Sequence, residues 1–344
     1  MNPDWQKALE GSGASIESGI AVNFGDAAAE LRAADSGSVL ADASHLAVLD
    51  FSGEDSTSFL QGQLTCDVNT LAIGSSAYGG YCSAAGRLLA DFLLWHTPSE
   101  YRMVLARSIA GTTRKRLAQF VLRAKVNILD RSDELVVLGA AGHEAGAVLG
   151  AVFGDIPRQD HRVLQDEFGG SLIALPAARF LIVAAPTDAL RIQAGLTGAL
   201  RPVGAPCWEW LDIRNGFPWI AERTQDQFVP QMANLELLGG VSFQKGCYPG
   251  QEIVARTQYR GKLKRRMFLA NVEAQVGPVA GDELFSDDLP GQTCGMVVNA
   301  QRSPSGGYDL LAVVPLESRA SSILHLKSTD GPVLRFLELP YQVA

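Results

Sequence analysis

The segment of the sequence most able to do chemistry is Gln244 to Arg256, QKGCYPGQEIVAR. It places the thiol of Cys247 shortly before Pro249, a residue well suited to the first position of a helix. The positive end of a helix dipole, together with Lys245, would favour the thiolate form of this cysteine. Cys247 is therefore predicted to act as a nucleophile or a soft metal ligand. The alternative is a small buried residue in a tight turn.

Two glycines flank the cysteine in this segment. Gly246 and Gly250 permit backbone conformations or close approaches that a side chain would prevent. The helix that follows should include Glu252 and Arg256. The sequence therefore predicts a turn, shaped by glycine, that presents the thiol at a helix N-terminus.

The remaining cysteines and the overall composition limit the class of protein. The five cysteines are scattered without a C-x-x-C pair, which is typical of reduced thiols in the cytoplasm and argues against a zinc knuckle or a four-cysteine cluster within one chain. Cys66, Cys82 and Cys294 are expected to be core residues. The 344 residues are 47% hydrophobic and 19% charged, with no evident secretory signal or membrane span. We expect a cytoplasmic protein of two or three domains.

A basic run follows the cysteine segment in a chain whose formal net charge is -8. Its members are Arg256, Arg260, Lys262, Lys264, Arg265 and Arg266, with no acid between them. A local positive patch of this kind can hold an anionic ligand, an RNA backbone or an acidic partner. A solvated linker surface is the alternative, because a domain boundary is predicted here.

The hydrophobic pattern changes twice along the chain and divides it into three regions. From about His45 the order is strand, helix, three strands, helix and strand, which is close to a split βαβ unit with an extra strand. A shorter α+β layer lies between about Glu134 and Leu200. From Met267 onward helix signals are absent and short strands alternate with turn residues, which is typical of a small β-barrel.

Several short blocks occur in the order seen in a known family. These blocks are Phe228-Val229-Pro230-Gln231, Asn234-Leu235, Leu238-Gly239-Gly240, Lys245 through Glu252, Arg260-Gly261, and, nearer the N-terminus, Gln61 through Val68 and Gly86-Arg87. On these blocks, which span roughly residues 40 to 270, the chain resembles the YgfZ family, folate-binding relatives of the glycine-cleavage T-protein.

The resemblance implies an α+β fold of the T-protein type, with two ferredoxin-like α+β domains and a C-terminal small β-barrel. We expect residues 1–133 with 206–262 to form the domain that binds folate and carries the cysteine segment. Residues 134–205 would form the second ferredoxin-like domain, and residues 263–344 would form the β-barrel.

The resemblance also implies a site for tetrahydrofolate or a derivative. Trp208 corresponds to a tryptophan near the pterin in this family, and Leu46 to a second such position where relatives can carry tryptophan. Asp91 is the one acid retained from a pair that T-proteins carry, and Arg256 is suited to the anionic glutamate tail of a folate. A core aromatic is the alternative for Trp208, and an exposed acid at a strand edge is the alternative for Asp91.

In function, the resemblance implies a factor that assists the assembly or repair of iron-sulfur clusters in client enzymes, including enzymes that thiomethylate tRNA. Cys247 would be its working residue, in a loop shaped by Lys245, Gly246, Tyr248, Gly250, Gln251 and Glu252. The expected partners are folate and iron-sulfur client enzymes or assembly proteins, with an indirect effect on tRNA. Two alternatives are a folate-dependent aminomethyltransferase or demethylase, which would be a one-carbon transferase, and a module that binds tRNA directly.

Overall fold

The computed structural model describes residues 1–165, 170–259, 261, 263–289 and 291–343. The chain forms two compact units, and both are discontinuous in sequence. The first unit contains Met1–Ser56, Thr70–Ala77 and Leu93–Leu211, and the second contains Thr57–Asn69, Tyr78–Phe92 and Asp212–Ala344. Among the described residues, none of the helices combines the length and the apolar character that a membrane crossing requires.

The helices are short, and some begin at residues that cap them. The side chain of Asn2 accepts hydrogen bonds from the N–H groups of Asp4 and Trp5, and Asp26 accepts one from the N–H of Ala29. In chain order the α-helices are α1 Pro3–Gly11, α2 Ala27–Ser36, α3 Ser56–Gln63, α4 Arg107–Ala118, α5 Ala145–Phe153, α6 Pro186–Leu196, α7 Ala205–Arg214, α8 Gln251–Tyr259 and α9 Leu316–Ser321. Short 3-10 helices lie at Val68–Thr70, Glu222–Thr224 and Pro230–Ala233.

The strands carry most of the buried apolar residues. In chain order they are β1 Ser15–Glu17, β2 Ile20–Asn23, β3 Val39–Asp42, β4 Leu46–Ser52, β5 Ser76–Cys82, β6 Leu88–His96, β7 Tyr101–Ala106, β8 Asn127–Asp130, β9 Val136–Ala141, β10 Val163–Gln165, β11 Ser171–Leu175, β12 Arg179–Ala184, β13 Arg201–Val203, β14 Arg265–Val272, β15 Glu283–Ser286, β16 Thr293–Arg302, β17 Tyr308–Pro315, β18 Leu324–Leu326 and β19 Leu334–Leu337. Every residue of β7, β9, β11 and β12 is buried, so these strands are covered on both faces.

The first unit contains a six-stranded sheet in the order β10-β11-β12-β9-β3-β13. Its pairs are antiparallel except for the parallel pair β3 and β13. The core beside it joins Trp5, Leu9 and Leu40 to residues of α5 and α6. The α+β layer predicted between about Glu134 and Leu200 is confirmed by β9, α5, β11, β12 and α6. The predicted boundaries put β3 in the other ferredoxin-like domain, whereas this strand pairs with β9 of the shorter layer.

A second sheet has five strands in the order β5-β6-β7-β4-β8. Antiparallel pairing joins β4 to β7 and to β8, and β6 to β7. The chain order β4, α3, β5, β6, β7, α4, β8 confirms the predicted split βαβ unit with an extra strand. Strands β5 and β6 are each divided between the two units, so Tyr78–Phe92 belongs to the second unit.

The C-terminal part of the second unit is a curled antiparallel sheet in the order β18-β15-β16-β17-β14-β19. A bridge between His325 and Val333 links the edge strand β18 to the residue that precedes the other edge strand, β19. This agrees with the predicted small β-barrel. The prediction that helices are absent beyond Met267 is wrong, because α9 follows β17. A helix of six residues is too short to show a helical period in the sequence.

Candidate functional site

The cysteine segment forms an irregular loop that leads into helix α8. The helix begins at Gln251, two residues later than the predicted start at Pro249. Gly250 has φ +78°, which lies in the left-handed region. The right-handed helix therefore cannot include Pro249 and Gly250. The N–H of Val254 donates to the carbonyl of Gly250, so this glycine is the residue at which the helical hydrogen bonds start.

The two glycines of the loop differ in what they require. A Cβ at Gly250 would lie 2.4 Å from Cα of Gly86 and 2.5 Å from the carbonyl oxygen of Ser83, so only glycine fits there. A Cβ at Gly246 would meet no atom within 4 Å, so the predicted need for glycine is not seen at that position. The loop is therefore held on one side by a close contact between two main chains, at Gly250 and at the turn of Ser83 and Gly86.

The other side of the loop is held by the buried side chain of Lys245. Its Nζ donates to the carbonyl oxygens of Gln61, Leu64 and Cys66, at 2.7, 2.5 and 2.9 Å. These oxygens lie at and beyond the C-terminal end of α3, where carbonyls lack partners in the helix and the dipole favours a cation. Burial lowers the pKa of Lys245. The sequence predicted that this ammonium group would stabilise the Cys247 thiolate. In the structure it donates instead to three main-chain oxygens.

Tyr248 and Gln251 reinforce this anchor. Tyr248 is buried, and Nζ of Lys245 lies 5.3 Å from the centre of its ring. Burial raises the pKa of Tyr248. The side-chain amide of Gln251 donates to the carbonyl of Lys245 at 3.4 Å. Glu252 is exposed on the first turn of α8.

Cys247 differs from the other cysteines in its exposure. All five cysteines lie in the described part of the chain, and Cys247 alone is exposed. Burial raises the pKa of Cys66, Cys82 and Cys207 to about 12, and that of Cys294 to about 11. The predicted core positions of Cys66, Cys82 and Cys294 are confirmed. An exposed thiol can meet a partner, whereas the four buried thiols stay protonated and enclosed.

The structure places two of the predicted folate residues in the interior of the first unit. Trp208 and Leu46 are each 1% exposed. A Cβ at Gly139 would lie 2.1 Å from the Trp208 ring, so the indole packs directly on the main chain of β9. The guanidinium of Arg179 lies 5.5 Å from the ring centre. This packing is that of a core aromatic side chain.

Asp91 is fully buried in the second unit, so an exposed acid at a strand edge is ruled out. Its Oδ1 accepts a hydrogen bond from the N–H of Ile220 at 2.7 Å. Its Oδ2 has no partner among the described residues. Burial raises the pKa of Asp91 to about 7, and the nearby Asp212 acts in the same direction.

An aromatic group that the sequence analysis missed lies beside these acids. The rings of Tyr78 and Phe217 stack with centres 4.9 Å apart, and the ring of Trp219 lies 6.3 Å from that of Tyr78. The indole N–H of Trp219 donates to Asp212 at 2.8 Å. The signal in the sequence was the run Phe217-Pro-Trp219, whose aromatic residues closely follow α7.

The predicted basic run is not a uniform patch. The described members that are exposed are Arg256, Lys264 and Arg265. Arg266 is partly buried and pairs with Glu236 at 2.5 Å, so its charge is neutralised inside the unit. Arg260 and Lys262 lie outside the described residues.

Comparisons with known proteins agree with this architecture. Residues 14–166 match the family model of the GCVT N-terminal domain. The structure of the glycine cleavage system aminomethyltransferase T from Bartonella henselae aligns with a TM-score of 0.82 over 99% of this chain and 97% of that chain, at 17% identity. This similarity confirms the predicted T-protein-like fold.

Sequence relatives cover most of the chain. The tRNA-modifying protein YgfZ of Edwardsiella ictaluri (strain 93-146) is 38% identical over 299 residues, which are 85% of this chain and 89% of that protein. The tRNA-modifying protein YgfZ of Sodalis glossinidius (strain morsitans) is 33% identical over 301 residues, which are 86% of this chain and 91% of that protein. With identity of this level over nearly its whole length, the chain belongs to the YgfZ family.

Proposed function

We propose that this chain is a folate-binding factor that supports iron-sulfur enzymes of tRNA modification, with Cys247 as its working residue. Two of its relatives carry the name tRNA-modifying protein, which supports a role in that pathway. The aminomethyltransferase fold supports tetrahydrofolate as the small ligand. The role of the cysteine rests on the geometry of its loop.

The observation that carries this role is the contrast between an exposed thiol and an anchored main chain. Lys245, two residues before Cys247, is held by three carbonyl groups, and Gly250, three residues after it, packs against Gly86. The loop is ordered by folding, so a partner that meets the thiol does not have to order it again. Such a cysteine is suited to ligate iron, or to take the outer sulfur of a persulfide on an assembly protein, whose own thiolate would leave.

Asp91 is the predicted folate contact that keeps an unused polar atom. Its Oδ2 lacks a partner among the described residues, and its Oδ1 is bound to the residue that follows Trp219. A pterin needs flat apolar walls and a few polar anchors. We therefore expect the pterin to contact Asp91 and the aromatic group of Tyr78, Phe217 and Trp219. Trp208 is less suited, because its ring already packs on the main chain of β9.

Complementation tests the cysteine role directly. A deletion strain should lose thiomethylated nucleosides from its tRNA, as measured by mass spectrometry of digested tRNA. The wild-type gene should restore them, and Cys247→Ser should not. Gln244→Ser changes an exposed neighbour in the same loop and should restore them fully. Full rescue by Cys247→Ser would remove the cysteine from the proposal.

Calorimetric titration with tetrahydrofolate tests the ligand. We expect wild type and Cys247→Ser to bind alike, and Asp91→Asn to bind at least about tenfold more weakly, since one charge-assisted contact is lost. Absence of binding by wild type would refute the folate proposal. Production of methylenetetrahydrofolate from an aminomethylated donor at enzymatic rates would favour the aminomethyltransferase alternative.

A further inference from the structure

A second concave site lies within the second unit, apart from the cysteine loop. It is a cavity of about 200 Å³ between Arg87 in the turn before strand β6, the segment around Phe228 and the C-terminal sheet. Its lining residues are Arg87, Gln227, Phe228, Val229, Met232, Arg265, Thr293, Gly295, Met296 and Val313. Phe228 and Val313 are buried and form an apolar floor, whereas Arg87, Gln227, Arg265 and Thr293 are exposed at the rim.

Two guanidinium groups at this rim lack acidic partners within the described part of the chain. Nη1 of Arg87 donates to the main-chain carbonyls of Asp226 and Gln227 at 3.3 and 3.1 Å, which orients the group without neutralising it. Arg265 begins strand β14, and among the described residues it forms no ion pair. Two positive charges on one cavity, in a chain of formal net charge -8, indicate an anionic occupant.

The walls of the cavity are already fixed by hydrogen bonds. The N–H of Leu88 donates to the carbonyl of Phe228, and the N–H of Asp226 donates to the carbonyl of Leu88, both at 2.7 Å. On the opposite wall, Met296 pairs with Val313 in the C-terminal sheet. A ligand would therefore enter a largely preformed site, which is the usual condition of small-molecule sites.

We propose that this cavity binds the carboxylate-bearing end of an aromatic or otherwise apolar organic anion. The carboxylate would sit between Arg87 and Arg265, and the apolar part would lie on Phe228 and its neighbours. The volume is below the roughly 300–1,000 Å³ of a site for a drug-sized ligand, so a small molecule or one end of a larger one fits. The apolar floor disfavours inorganic phosphate, which has no apolar part.

With a free carboxylate as its ligand the site goes beyond the proposed function, and with the tail of a folate it rests on the folate part of that function. Its ligand has two conceivable sources, a free aromatic carboxylate or the aminobenzoyl-glutamate end of a folate. Both share the same chemistry. Arg87 directly follows Gly86, the residue against which Gly250 packs, so the cavity shares one turn of main chain with the anchor of the cysteine loop.

Calorimetric titration with 4-aminobenzoylglutamate at low salt tests the site. Wild type should bind this probe, and Arg87→Gln and Arg265→Gln should each bind it at least about tenfold more weakly. The neutral analogue 4-aminobenzamide should not bind. Arg302→Gln removes the same charge from strand β16 at a position that does not line the cavity, and should bind the probe like wild type.

A cavity-filling variant separates binding in the cavity from general attraction of anions. Thr293→Trp keeps both arginines but places a large ring at the rim, so it should abolish binding of the probe. Circular dichroism and urea unfolding check that each variant is folded. No binding by wild type, or equal binding by Thr293→Trp or by the Arg87→Gln, Arg265→Gln double variant, would overturn the proposal.

A tetrahydrofolate arm of the same titrations identifies the source. If Arg87→Gln also weakens tetrahydrofolate binding and 4-aminobenzoylglutamate competes with it, the ligand is the tail of a folate. If tetrahydrofolate binding is unchanged by Arg87→Gln, the cavity takes a free carboxylate. Both results support the site, and neither depends on whether Cys247→Ser complements the deletion strain.

Discussion

The cysteine loop and the residues predicted to bind folate make an instructive comparison. In the loop, the exposed Cys247 lies between the buried Lys245 and the tightly packed Gly250. Among the predicted folate residues, Trp208 and Leu46 are each 1% exposed in the core of the first unit, and Asp91 is fully buried in the second. The cysteine loop exposes its thiol on an anchored main chain, whereas the predicted folate residues are buried.

The difference shows which signals in a sequence report exposure. Glycine and proline around Cys247 report unusual backbone geometry, which tends to occur at surface loops. The type of an aromatic residue reports only its size and shape, and large aromatic residues are most often structural. We therefore expect substitution of the buried Trp208 to reduce mainly stability, and substitution of the exposed Cys247 to affect mainly function.

The largest effect is expected at Trp208. Trp208→Ala should reduce the free energy of unfolding by about 3–5 kcal/mol, because it leaves a cavity against β9. Urea unfolding measures this loss, and Trp208→Phe should lose clearly less because it refills part of the space. If Trp208→Ala kept wild-type stability but lost tetrahydrofolate binding, Trp208 would be a ligand residue and not a core residue.

The next largest change in the free energy of unfolding is expected from Asp91, and its size depends on pH. Because burial raises the folded-state pKa from 3.8 to about 7, the folded state binds the proton more tightly than the unfolded state. The stability that this provides is complete below about pH 4 and is lost as the pH rises through 7. At 1.36 kcal/mol per pKa unit the loss is of the order of 4 kcal/mol.

Urea unfolding of wild type and Asp91→Asn between pH 4 and pH 8 measures this effect. The asparagine can still accept the hydrogen bond of Ile220 and does not ionise, so the variant should lose less stability over this range. Asp50, whose pKa burial raises to about 7, is present in both proteins and cancels in the difference. Parallel pH profiles for the two proteins would show that Asp91 is solvated.

Removal of the lysine anchor should cost less but change the loop more. Lys245→Met leaves buried carbonyl oxygens beyond α3 without a donor, so unfolding free energy should fall by about 2–3 kcal/mol. Limited proteolysis should then cleave near Cys247 faster than in wild type. Lys264→Met removes the same charge from an exposed position and should change neither measurement. Slow cleavage in Lys245→Met would mean that Gly250 alone orders the loop.

The two glycines of the loop form a matched pair. Gly250→Ala forces a side chain into a left-handed backbone and against Gly86, so it should cost about 1–3 kcal/mol or more. Gly246→Ala meets open space and should stay within about 0.5 kcal/mol of wild type. Denaturant midpoints measure both. Equal midpoints for the two variants would contradict the packing of Gly250 on Gly86.

Substitution of Cys247, the proposed working residue, should change stability least. Cys247→Ser should change the free energy of unfolding by less than about 0.5 kcal/mol, because the thiol is exposed. Cys66→Ser puts an equivalent hydroxyl into the core and should cost about 1–3 kcal/mol. A large loss of stability in Cys247→Ser would make the cysteine a structural residue.

The fold was predictable where strands are long and apolar. Residues from β4 to α6 follow the predicted order closely, since their burial produces clear apolar runs. Strands β1 and β2 could not be predicted in this way, because they are short and mostly exposed or partly buried and so form no apolar run. The pairing of β3 with β13 is parallel and joins residues that lie far apart in the sequence, and no local pattern encodes such a pair.

The site was predictable in part for a similar reason. Local chemistry around Cys247 gave the loop and the helix after it to within two residues. The partners of the loop, namely Ser83, Gly86 and the carbonyls beyond α3, come from remote segments. The blocks from Gln61 to Val68 and at Gly86-Arg87 were noticed as family similarities, but only the fold shows that they meet the cysteine loop.

The lysine anchor has a consequence for the way this protein is made. Nζ of Lys245 closes hydrogen bonds to Gln61 across 184 residues of sequence. At a synthesis rate of about 5–20 residues per second, roughly 10–40 s pass between the synthesis of Gln61 and that of Lys245. During that interval the carbonyl groups at the end of α3 lack this donor. The loop that carries the thiol therefore cannot be anchored while the nascent chain ends before Lys245. Cys247 emerges two residues after Lys245, so its loop can be anchored on this side as soon as the thiol is made.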